Sequence, residues 1–127
     1  MKFSLKDRLL SFRHAFAGLG ILVATQHNFR IHLAASILVC LLGLVLGLSV
    51  QEWLWITLSI TFVLITEAAN TAIESLGDAI TREPNEQIRV AKDVAAAMVL
   101  IASIAAAGIG LVIFIPKVWN SIAVLWH

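Results

Sequence analysis

The sequence predicts an all-α membrane protein: an amphipathic surface helix over about 4–27, then three transmembrane helices over about 31–50, 53–73 and 94–115. Two observations carry this. The 127 residues are 60% hydrophobic and only 13% charged, with mean hydropathy +0.93. A soluble domain is about 25% charged, so there is too little charge to clothe a water-facing globule. The apolar residues also fall into charge-free runs of membrane-spanning size. The length suits one domain, taken as 1–127.

Residues 4–27 read SLKDRLLSFRHAFAGLGILVATQH. Leu5, Leu9, Phe12, Phe16 and Leu19 recur at helical spacing, with Lys6, Arg8 and Arg13 between them. That pattern fits a basic helix lying in the membrane interface. A signal peptide would show a continuous apolar core and a cleavage site, so this segment is expected to stay on the chain.

Residues 33–50, LAASILVCLLGLVLGLSV, contain no charge and can span if Ile31 and His32 lie near the boundary. Cys40 falls inside this run as a packing residue, and a lone cysteine excludes an intrachain disulfide. Gln51 and Glu52 read as a turn. Residues 53–66 are apolar again, with Trp53 and Trp55 placed as interfacial anchors. Fourteen apolar residues are short for a span, so this helix has to continue through Glu67–Ile73.

The stretch 79–93 is polar, and Glu83-Pro84-Asn85 supplies a turn. Residues 94–115 form a long run rich in Ala and Gly, which permits close helix contacts. Pro116 and Lys117 are expected to end it, with Trp119 and Trp126 at the far interface. Eight of the nine Lys and Arg residues fall in 1–30 or 82–92. The positive-inside rule then places the N-terminus and the 79–93 loop in the cytoplasm, which makes the chain a multi-pass membrane protein with its N-terminus inside. Net charge is only +1, with no long basic block, so nucleic acid is not an expected partner.

The stretch EAANTAIESLGD, residues 67–78, puts polar groups where a membrane-grade segment ends. At about 100° per residue, Asn70 lies near −60° from Glu67, Thr71 near +40°, Glu74 near −20° and Asp78 near +20°. All share one face if the helix stays regular past Gly77. Carboxylates on one stripe repel unless a cation sits among them. Arg or Lys side chains would serve, as would a divalent metal; Mg²⁺ usually takes one or two carboxylates together with phosphate oxygens. The bland alternative is that these groups bridge helices or face water. It is weakest for Glu67, because an ionisable group inside a span is costly. Lys92 could neutralise phosphate or simply snorkel, and Asp93 could be a ligand or only suit a helix N-terminus.

The pattern Glu67-x-x-Asn70-Thr71-Ala72-Ile73-Glu74-x-x-x-Asp78, followed by Ala91-Lys92-Asp93, closely resembles the small integral-membrane diacylglycerol kinase family of bacteria. Asn-Phe-Arg-Ile-His-Leu at 28–33, which includes Arg30, resembles its undecaprenol kinase branch. The resemblance covers nearly the whole chain. It implies a homotrimer with sites shared between subunits, Mg·ATP as donor and a lipid alcohol as acceptor, undecaprenol or otherwise diacylglycerol. Glu67 matches the family's general base and Glu74 its metal-bridging carboxylate. Asn70 and Asp78 match groups lining the nucleotide site, and Lys92 and Asp93 its ATP-contacting pair. Glu83 and Asn85 align with a loop near the nucleotide. Arg13, His14 and Ala17 fall in the surface-helix region that covers the site; with Arg30 they are assigned to the acceptor, except His14, which goes to ATP.

The chain departs from the family at Gln26, where a second metal-binding Glu is usual. An amide offers an oxygen without negative charge. His27 is adjacent and reads as a hydrogen-bonding surface residue. Ala68 and Ala69 replace larger apolar residues, which alters packing more than chemistry. No G-x-x-x-x-G-K-[ST] phosphate cradle is present. Rival readings are a non-catalytic oligomeric membrane protein, a degenerate kinase that binds nucleotide without turnover, and a small transporter.

Overall fold

A computed structural model describes residues 4–125. The described residues form four helices: α1 Leu5–Thr25, α2 His27–Val45, α3 Val50–Ile80 and α4 Glu86–Leu125. The last three are long and apolar enough to cross a membrane. Trp126 lies outside the described residues.

Helix α1 starts at Ser4, whose hydroxyl accepts from the Asp7 backbone N–H, an N-cap that satisfies an otherwise unpaired donor. It packs on α2. Leu5, Leu9, Phe12, Phe16 and Leu19 are all exposed, and so are Leu10 and Ile21 off that stripe. Gln26 interrupts the chain in an extended conformation, and α2 begins at the next residue.

The connection from α2 to α3 is a turn over 46–49, not at Gln51-Glu52 as the sequence suggested. Gly47 has φ +62°. Its N–H reaches the Leu44 carbonyl at 3.4 Å, and the Leu48 N–H reaches Gly43 at 3.1 Å. This is a glycine-terminated helix end that satisfies the last carbonyls. Ser49 then caps α3. Its hydroxyl accepts from the Glu52 N–H, while the Glu52 carboxylate accepts from the Ser49 N–H at 2.6 Å. Ser-x-x-Glu is the sequence signature of this reciprocal cap, so Gln51 and Glu52 belong to the first helical turn. Trp53 does not simply anchor at the interface. Its ring covers Gly43, where a Cβ would stand 2.9 Å from Cη2.

Helix α3 is the centre of the molecule and packs chiefly on α4. Its inner face carries Ile56, Ser59, Val63, Glu67, Asn70, Thr71 and Gly77, all buried. The large apolar residues elsewhere on the spans, such as Leu54, Phe62, Leu100 and Ile104, are exposed, as a bilayer permits.

Helix α4 overturns the expected stop at Pro116, because the helix passes through that residue to Leu125. Proline forfeits the bond to the carbonyl four residues back. The next residue, Lys117, is held by Glu52 at 3.1 Å and by the Gly47 carbonyl at 3.3 Å. A proline inside a spanning helix costs that bond without ending the helix. At its other end α4 begins at Glu86, earlier than the apolar run, and the loop shrinks to 81–85.

Candidate functional site

Length sets the depth of the polar stripe. Helix α3 has 31 residues, or about 46 Å at 1.5 Å per residue, against a hydrocarbon core of about 30 Å. If the core begins at Val50, Glu67 lies about 26 Å in and Asn70 about 30 Å in. Glu74 and Asp78 then lie beyond it. Burial follows the same gradient: Glu67 is 3% exposed, Asn70 7% and Thr71 8%. Glu74 is half-buried and Asp78 exposed.

Glu67 is buried on the inner face of α3 and has no hydrogen-bond or ion-pair partner among the described residues. One turn on, Asn70 donates from Nδ2 to Glu74 Oε1 at 2.9 Å. The Asn70 Oδ1 atom is buried without a partner. Adjacent turns therefore concentrate acceptor oxygens and supply few donors, an arrangement that favours a cation or a hydroxyl donor.

Gly77 lets the two helices close. A Cβ there would stand 2.8 Å from Ile88 Cγ2 and 2.9 Å from Lys92 Cε. Through this gap Lys92 Nζ reaches Asp78 Oδ1 at 2.5 Å. Asp93 pairs with Arg89 at 2.9 Å, and Arg89 also holds Glu86. Asn85 is committed to helix capping. Its Oδ1 accepts from the backbone N–H groups of Gln87 and Ile88 at 3.0 and 3.2 Å. The Glu83 N–H donates to Thr81 Oγ1 at 3.0 Å, and its side chain is exposed.

The chain thus joins Asn70 to Glu74, Asp78 to Lys92 and Arg89 to Asp93. The other candidates stand apart. Gln26 sits at the α1–α2 junction, where its Nε2 donates to Thr25 Oγ1 at 3.0 Å. Arg13, His14, Ala17 and Arg30 are exposed on α1 and the first turn of α2. Among the described residues no three His, Cys, Asp or Glu side chains converge on one metal position. The acceptors present, Glu74 and the orphaned Asn70 Oδ1, still suit an oxygen-seeking ion that fills its other positions with phosphate and water. Arg89 and Gly77 were missed by sequence reasoning. A Glu-x-x-Arg-x-x-x-Asp pattern at 86–93 carried the signal for the first, but only the packing of α4 shows the second.

Comparison with known proteins identifies the family. The family model of prokaryotic diacylglycerol kinases matches residues 13–114. The chain is 39% identical to an undecaprenol kinase of Bacillus subtilis (strain 168) over 107 residues, 84% of this chain and 87% of that protein. It is 38% identical to a diacylglycerol kinase of Synechocystis sp. over 109 residues, 85% of this chain and 62% of that protein, so it spans less than two thirds of this second relative. The matched family region contains the whole Glu67–Asp93 constellation and stops short of Lys117.

Proposed function

The chain belongs to the prokaryotic diacylglycerol kinase family, in its undecaprenol kinase-like branch, and from that premise we propose that it transfers the γ-phosphate of ATP to a membrane lipid alcohol, undecaprenol first and diacylglycerol second. The observation that carries the reading is the position of Glu67. It is a buried residue with no hydrogen-bond or ion-pair partner among the described residues, and on the helix-length reckoning it falls about 26 Å along α3 from Val50, short of Glu74, Asp78 and the Lys92–Asp78 pair. The acceptor comes from lipid and the donor from water, so the reacting atoms have to meet at that level.

Glu67 accepts the proton of the lipid hydroxyl as its oxygen attacks the γ-phosphorus. The new oxygen–phosphorus bond forms, the bond to the β–γ bridging oxygen breaks, and ADP leaves. Glu67 is the only carboxylate of the stripe placed to meet an alcohol without leaving the lipid. Lys92 offsets phosphate charge once it leaves Asp78. Asn70 fixes the Glu74 carboxylate through its amide. Glu74 would hold Mg²⁺, which when bound would supply charge neutralisation at the phosphates; Gln26, apart from Glu74 within one chain, would add a neutral oxygen only from a neighbouring copy. Asp78, Glu83, Asn85 and Asp93 border the nucleotide.

Helix α1 lies in the cytoplasmic interface of the inner membrane and brings Arg13, His14, Ala17 and Arg30 to the site of a neighbouring copy in a homotrimer. Among the described residues the main element contacts of α1 are with α2, and the family resemblance supports a site completed by a neighbouring copy.

The test is transfer of label from γ-labelled Mg·ATP to undecaprenol or diacylglycerol by the purified protein, with Glu67→Gln as control. Label entering a lipid, and lost in the control, is expected. ATP binding without transfer to either lipid would favour the degenerate-kinase reading instead.

A further inference from the structure

We propose that the groove between α2, α3 and α4 receives the hydrocarbon tail of the acceptor alcohol and discriminates acceptors by tail length. The inference rests on the lipid kinase reading. The groove encloses about 480 Å³ and is lined from three helices, by residues that include Ala35, Ile56, Val63, Ala107, Gly110 and Phe114. No Asp, Glu, Lys or Arg lines it, which excludes the nucleotide. Its volume suits a small-molecule pocket.

Two observations select a tail that belongs to the substrate. Ile56, Ser59 and Val63 line the groove and share one face of α3 with Glu67 and Asn70. Val63, the lining residue nearest Glu67 along α3, stands one turn from it. A chain lying in the groove therefore presents its polar end to Glu67.

The hydroxyls fix the same direction. Ser36 donates to the His32 carbonyl and Ser59 to the Trp55 carbonyl. Ser103, the third serine of the lining, has a buried Oγ without a partner. Helices α3 and α4 run antiparallel, with Gly77 against Lys92, so Ser103 lies at the Glu67 end of the groove and Phe114 at the far end.

From Ser103 to Phe114 the groove follows α4 for about 16 Å. A tail entering from Glu67 is followed across about half of the ~30 Å hydrocarbon core.

Gly110→Leu tests the proposal without disturbing the fold, because a Cβ at Gly110 meets nothing within 4 Å and the new side chain projects into open space. Ala35→Leu narrows the same groove from α2. With undecaprenol as acceptor, each variant is expected to raise KM about 10-fold. KM for farnesol and for ATP should stay within about twofold of the unchanged protein. Equal losses with both alcohols would overturn the proposal. So would a changed oligomer mass, which would assign the groove to a second copy. A polyprenol with a photoreactive group at its tail end gives a readout independent of turnover. Crosslinks at Ile56 or Phe114 are expected, and crosslinks confined to α1 would sink the tail assignment. Absence of label transfer to any alcohol would instead count against the kinase reading itself.

Discussion

Lys92 and Asp78 hold each other across the seam of α3 and α4, Nζ to Oδ1 at 2.5 Å, fourteen residues apart in the chain. The lysine side chain is 32% exposed and the aspartate 66%. So exposed a pair contributes little to stability. It keeps the cation at the mouth of the candidate site in a neutralised, defined position. Nucleotide phosphate would have to compete with Asp78 for it.

Lys92→Met is accordingly expected to raise KM for ATP about 10-fold, equal to about 1.4 kcal/mol, with little change in thermal midpoint. Asp78→Asn removes the competitor and one boundary of the nucleotide site together. Its effect on KM should therefore be smaller than that of Lys92→Met. Steady-state kinetics over a range of Mg·ATP, beside a thermal melt in detergent, read both. A large melt shift with unchanged KM would make the pair structural.

Gly77→Ala is expected to be costly for its size. The new Cβ would meet Ile88 Cγ2 at 2.8 Å and Lys92 Cε at 2.9 Å. Lysine can swing away, but it then abandons Asp78. Ile88 is β-branched and stiff at χ1, so the helices have to part. A loss of about 1–3 kcal/mol is typical of overpacking. It should appear as a lower thermal midpoint together with a raised KM for ATP.

The Asn70–Glu74 bond predicts an effect on metal dependence. In Asn70→Ala the Glu74 carboxylate loses its 2.9 Å donor and the buried orphan oxygen disappears. The Mg²⁺ concentration for half-maximal rate should rise several-fold, while KM for the lipid changes little. Titrating Mg²⁺ at saturating ATP decides it; an unchanged midpoint would remove Asn70 from the metal's surroundings.

On the opposite side, Lys117 ties α4 to the α2–α3 turn through Glu52 and the Gly47 carbonyl. Lys117→Met should lower the thermal midpoint and leave kcat and KM nearly unchanged, since the latch is a span away from Glu67. Glu52→Gln should do the same, with the double variant no worse than the sum of the two single variants. Its carboxylate also caps α3 at Ser49, so the Glu52 substitution is expected to be the more damaging one.

Much of this was legible because hydropathy and spacing are local. The three spans are visible in the runs 33–50, 53–66 and 94–115, where a chain with so little charge has no other solvent. The polar face from Glu67 to Asp78 follows from helical periodicity alone, and the structure places Glu67, Asn70 and Thr71 on the buried side of α3. The turn was misplaced at Gln51-Glu52, although Gly47 and Ser49-x-x-Glu52 spell its two caps. Gln51 and Glu52 are polar because they form the first turn of a capped helix, not because they form a loop.

The sequence by itself determined the solvent, the number of spanning helices and the chemistry of one helix face, because each depends on neighbours within a few turns. The tertiary structure decided what joins distant positions: Lys92 to Asp78 through the gap at Gly77, and Lys117 to Glu52 across the continued helix. It also decided the groove, which needs three helices to exist. The reason is that a cation's partner and a glycine's clearance depend on which helix packs opposite and in what register. No local pattern carries that information.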